Sequence, residues 1–99
     1  MVNVIATHLV KDFNKWKPFF DDHEKFRKEN GELSYVLYRG VEDRNLVVIE
    51  FEWESLEKAK AFMNSEDLKK IMLEAGVLGV PDIRILEKIA PKKAVKKAA

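Results

Sequence analysis

The chain contains no cysteine, and that absence removes disulfides, thiolate nucleophiles and cysteine-based zinc or iron–sulfur sites together. It has no GxSxG elbow, no glycine-rich phosphate loop and no GxGxxG at a strand-to-helix turn, so serine-hydrolase, nucleotide and flavin readings fall away. No apolar run approaches the ~20 residues that a bilayer-spanning helix needs, and the N-terminus lacks a basic segment followed by an apolar one. The expected location is therefore the cytoplasm. Neither sign of charge dominates, with 18 basic and 17 acidic residues.

What is present is a globular composition, 46% hydrophobic and 35% charged over 99 residues. That is enough for one two-layer core and too little for a second. Lys92, Lys93, Lys96 and Lys97 stand without an acid in the last nine residues, so a net charge of +1 for the whole chain leaves −3 for residues 1–90. We expect one domain over 1–90 and a disordered Lys-rich tail over 91–99. A lysine tail could touch nucleic acid or anionic lipid, but the acidic body offers no basic face to extend it. Neither a nucleic-acid nor a membrane partner is expected.

Val2 to Val10 is β-branched and short, and reads as a strand. Asp12 or Asn14 caps a helix beginning near residues 12–15, with Pro18 held to its first turn. Phe13, Trp16, Phe19, Phe20, His23 and Phe26 recur at spacings of three and four until Asn30-Gly31 ends the helix. Leu33–Gly40 and Leu46–Glu54 form a hairpin. With Asp43-Arg44 at its tip, Tyr38 opposes Ile49 and Val36 opposes Phe51, which puts Val36, Tyr38, Val47, Ile49, Phe51 and Trp53 on one face. Tyr35, Leu37, Arg39, Val48, Glu50 and Glu52 share the other. Ser55 caps a second helical region, Ser65 restarts it, and Gly76 stops it. A last strand follows over Asp82–Ile89. The order is βαββαβ.

Trp16-Lys17-Pro18-Phe19-Phe20-Asp21-Asp22-His23, the Tyr35–Tyr38 strand, Phe51-Glu52-Trp53-Glu54-Ser55-Leu56-Glu57-Lys58-Ala59 and Glu74-Ala75-Gly76-Val77 together resemble the small antibiotic-biosynthesis-monooxygenase-like proteins. More narrowly, the chain is similar to their "cyclase"-labelled members over about residues 2–89. The resemblance implies an α+β, ferredoxin-like protomer with a four-stranded antiparallel sheet. Two such sheets would pack face to face as a homodimeric α+β barrel. The residues support a covered second face independently, because Tyr35, Leu37 and Val48 are too apolar for a wet one. Tyr35, Arg39, Glu50 and Glu52 would then lie at or near the interface.

In the relatives a ligand occupies a cleft between sheet and helices. Here Trp16, Phe20, Tyr38, Phe51, Trp53, Phe62 and Met72 are the candidate ligand-binding lining, suited to a small hydrophobic, aromatic or polyketide-like molecule. The plain alternative is that such an aromatic stripe is only core. His23 and His8 are the candidate catalytic residues, since imidazoles alone exchange protons near neutral pH without a large shift. His8 shares a strand face with Val4, Ala6 and Val10, and His23 shares the stripe of Trp16 and Phe20; each could equally be a hydrogen-bonded structural residue. A metal on both histidines with Asp22 or Glu50 lacks any tight ligand spacing such as HExxH, and no metal is expected.

The resemblance implies cofactor-independent oxidation, or a proton-transfer cyclisation or isomerisation, with no cofactor. Trp16, Tyr38 and Trp53 would position the ring. A non-catalytic ligand-binding or interaction module is the rival. Metal- and flavin-free relatives use an Asn/Trp/Tyr type of site, for which Asn3 and Trp53 lie on roughly comparable strands. Haem-degrading relatives add a histidine on the second helix, which this chain lacks.

Overall fold

The computed structural model describes residues 1–90; the Lys-rich stretch 91–99 lies outside them. Eight elements follow one another: β1 (Val2–Val10), α1 (Phe13–Asp22), α2 (Glu24–Glu29), β2 (Glu32–Arg39), β3 (Leu46–Trp53), α3 (Leu56–Met63), α4 (Glu66–Glu74) and β4 (Val77–Leu86). The strands form one antiparallel sheet in the order β2-β3-β1-β4. The βαββαβ, ferredoxin-type α+β order read from the sequence is the observed one, with each helical region divided in two.

Local chemistry sets the element ends. The Asp12 carboxylate accepts from the Asn14 backbone N–H at 2.9 Å, and Ser55 and Ser65 accept from Lys58 and Leu68 N–H, each at 3.2 Å. Each cap satisfies a donor left orphaned by the first helical turn. Because α1 starts at Phe13, Pro18 falls past the first turn rather than within it. His23 is both the C-cap of α1 and the N-cap of α2, so the expected single helix is broken at that residue. Gly31 has φ of 116°, and a Cβ there would come within 2.6 Å of the Trp53 indole nitrogen, so only glycine lets β2 start this close to β3.

Two strand expectations need correction. Gly40 N–H bonds the Leu46 carbonyl at 2.9 Å, which leaves an odd loop of residues 41–45 instead of a tip at Asp43-Arg44. Tyr38 therefore pairs with Val48 and Leu37 with Ile49. A slip of one residue exchanges the two faces of β2: Tyr35, Leu37 and Arg39 join the helix-covered face, and Val36 and Tyr38 join Val48, Glu50 and Glu52 on the open one. β4 begins at Val77, before the expected Asp82, because Val77 and Leu78 pair with Val10 and Leu9 beyond a register shift in β1. Pro81 is tolerated because β4 is an edge strand.

Every second residue of the central strands, Val4, Ala6, His8 and Val10 on β1 and Val47, Ile49, Phe51 and Trp53 on β3, is buried beneath the helices. Trp16 and Phe20 of α1 and Ala59, Phe62 and Met63 of α3 close on them.

Candidate functional site

The core is not filled to its centre. A cavity of about 70 Å³ lies between sheet and helices, lined by His8, Trp16, Phe20, His23, Phe51, Phe62 and Met72 among others. The structure thus brings together both sequence-nominated histidines and five of the seven nominated lining residues.

One wall is a stack. Trp16 and Phe20, four residues apart on α1, lie 5.1 Å between ring centroids with planes 23° apart. His8 from β1 meets the Trp16 edge at 5.6 Å, and Tyr35 from β2 meets the Phe20 edge at 5.0 Å. His23 packs on Phe26 at 4.9 Å and faces Phe62 at 6.2 Å. These offset and edge contacts are the favoured aromatic geometries and hold the wall rigidly.

The two histidines differ in setting. His8 is 8% exposed, and neither of its ring nitrogens has a hydrogen-bond partner. Burial lowers its pKa to about 4, because the charged form would lose its hydration. His23 is half-buried. Its pKa is also lowered, first by desolvation and then by the positive charge of Arg27, with Asp67 opposing. Both imidazoles are therefore neutral at pH 7, each with a nitrogen able to accept a proton.

Two nominated residues stand elsewhere. Tyr38 is on the open face, its hydroxyl 3.5 Å from Glu50, as the β2 register requires. Trp53 is fully buried behind the cavity, packed on Phe62 at 4.9 Å, with its indole N–H donated to the Asn30 carbonyl at 3.0 Å. Asn3 alternates with Val4 onto the sheet face opposite the cavity, so Asn3 and Trp53 do not meet in one site. Glu50 shares that opposite face, which keeps it from completing a metal site with the histidines. No cluster of three or more potential His, Cys, Asp or Glu ligands occurs among the described residues.

Sequence reasoning missed Arg27 and Tyr35. Arg27 is 3% exposed and lines the cavity. Its Nε donates to Glu32 Oε1 at 2.8 Å and its Nη1 to the Phe20 carbonyl at 2.6 Å, while its guanidinium lies 3.8 Å over the Phe20 ring. The signal was available, since Arg27 continues the 16, 20, 23 spacing of the aromatic stripe.

Comparison with known proteins agrees with this architecture. Among solved structures, an antibiotic biosynthesis monooxygenase aligns with a TM-score of 0.69 at 20% identity, over 91% of this chain and 100% of the other. SnoaB, a cofactor-independent oxygenase from Streptomyces nogalater, aligns with a TM-score of 0.70 at 12% identity, over 97% of each chain. A conserved protein from Methanosarcina mazei Go1 aligns at 0.61 and 20% identity, over 89% and 92%. No curated protein matches the sequence. Residues 17–73, more than half the chain, match the antibiotic biosynthesis monooxygenase family, and the chain belongs to that family.

Proposed function

We propose that the helix–sheet cavity binds a small hydrophobic ring and that its histidines move a proton on it, in a cofactor-independent oxidation or in a cyclisation or isomerisation. One observation carries this reading. Two neutral imidazoles and the Arg27 guanidinium line one cavity whose other walls are apolar, and both nitrogens of His8 lack the partner that a structural histidine normally has. A bound ring lies against the Trp16–Phe20 stack. His23, nearer the surface, accepts a proton from an acidic ring position, and the Arg27 guanidinium stabilises the negative charge left behind. In an oxidation, dioxygen is the co-reactant: a ring methylene and one O₂ give a ring carbonyl and one water.

The open sheet face supports a second part of the reading, a homodimer. Val36, Tyr38, Val48 and Ile5 share this face with charges among them, Glu50 standing between Val36 and Ile5 and Arg84 beyond Ile5, and a symmetric partner would cover the apolar residues and pair the charges. The rival, a binding module without turnover, draws on the lack of any carboxylate bonded to His8 that could support an imidazolium.

Oxygen uptake with a panel of hydroxylated mono- and polycyclic rings tests the proposal. Uptake lost in His23→Ala, with the fold retained by circular dichroism, supports the enzyme. Ring binding without uptake by the native chain leaves the binding module.

A further inference from the structure

The cavity is small for what it is proposed to hold. Its volume of about 70 Å³ is roughly half of the ~150 Å³ that accommodates one benzene. A ring enters only as a wall of the cavity re-packs, and the structure shows which wall can. Met63, Met72, Pro81 and Ile83 line the cavity and equally line a second, outer groove of about 350 Å³ between α4 and β4. These four side chains form the wall between the two spaces, and two of them are methionines, unbranched side chains that re-pack readily.

The outer groove is apolar where a solvent-facing surface would ordinarily be polar. Leu73 and Val80 on its rim are 79% and 95% exposed, and nothing among the described residues covers them. Its single charged lining residue, Lys69, already faces Glu66 at 3.4 Å. The groove therefore offers no free charge to a ligand and suits an uncharged chain.

We infer that the ligand is elongated: one ring in the inner cavity, carrying an uncharged alkyl tail that passes Met63 and Met72 and lies in the groove against Leu73, Val80 and Ile83. This rests on the reading that the inner cavity takes a ring. It adds a length requirement that the inner cavity alone does not impose. Continuity of the two linings favours the tail over a second protein copy as occupant of the groove.

The test is a homologous series, phenol and then 4-ethyl-, 4-butyl- and 4-hexylphenol, titrated against the full chain by calorimetry and by the fluorescence of Trp16 and Trp53. Burying a methylene strengthens binding by about fourfold, so affinity should climb by two- to fourfold per added carbon and then level off. In Leu73→Lys/Val80→Lys, which alters only exposed side chains, phenol should bind as before and the gain with length should vanish. Phenol binding with a flat series overturns the tail and leaves the ring reading standing. Failure of every member to bind overturns both. A gain that persists in the double variant places the tail elsewhere and overturns the proposal, as does a flat series in which the double variant also dissociates a dimer by light scattering, since the rim then serves a second copy.

Discussion

Two polar intrusions enter the same aromatic core and are treated in opposite ways. Arg27 and Glu32 enter together, both at least nine-tenths buried, joined at 2.8 Å and tied to the Phe20 carbonyl. His8 enters alone, equally buried, with no partner on either nitrogen. A charge that is bonded to an opposite charge and to backbone fixes the arrangement of α2 against β2. A neutral ring with two free nitrogens is held by its contact with Trp16, and leaving those nitrogens unpaired costs stability that no hydrogen bond within the chain returns. The pair serves the fold, while Arg27 also lines the cavity and keeps its Nη2 unpartnered, and the lone ring serves the cavity alone.

Breaking the pair should have the largest effect. Arg27→Met leaves the Glu32 carboxylate buried and alone, so chemical denaturation should show a loss of about 3–5 kcal/mol. The double variant Arg27→Met/Glu32→Leu should recover most of that loss, because no charge remains to be desolvated. If both variants lose equally, the pair is not what positions α2.

Acid should act through the lone histidine. His8 has a pKa of about 4 when folded against ~6.5 in an unfolded chain, so between those values the unfolded state binds the additional proton. His8 adds no protonation penalty above pH 6.5 and destabilises the fold increasingly as pH falls toward 4. The loss between pH 7 and pH 5 should be about 2 kcal/mol. His23 is shifted in the same direction and adds to the slope. Denaturation midpoints at the two pH values check this.

Replacing the lone histidine should have the smallest effect, and of opposite sign. His8→Leu removes two unpartnered nitrogens at similar volume and should stabilise the chain by about 1 kcal/mol at pH 7. It should also flatten the acid slope and weaken discrimination between phenol and toluene. A destabilised His8→Leu would mean that His8 has a partner within the fold.

The sequence made some of this readable and hid the rest for definite reasons. Caps at Ser55 and Ser65, the α1 stripe and the alternation of β3 depend on spacing within one element, and spacing is visible. Both histidines lay on apolar faces, and their meeting follows once α1 covers β1. The β2 register depended on whether the loop after Gly40 holds an even or an odd number of residues, and that choice sent Tyr38 to the open face and Tyr35 to the helix side. The place of Arg27 on the stripe was visible in its spacing, but its burial was not, because a charged residue on a stripe reads as its boundary. Only the position of Glu32 across the α2–β2 turn shows that the charge is paired and can be buried. Trp53 looked like a cleft residue from its amphipathic ring, yet its N–H finds the Asn30 carbonyl and the ring closes the core instead.

The most direct test is nitrogen-resolved NMR of the two histidine rings across pH, with and without 4-ethylphenol. His8 should remain neutral down to about pH 4, and both of its ring nitrogens, together with those of His23, should shift when the phenol binds. His8 titrating near pH 6.5, with ring nitrogens that ignore the ligand, would contradict a shared histidine cavity.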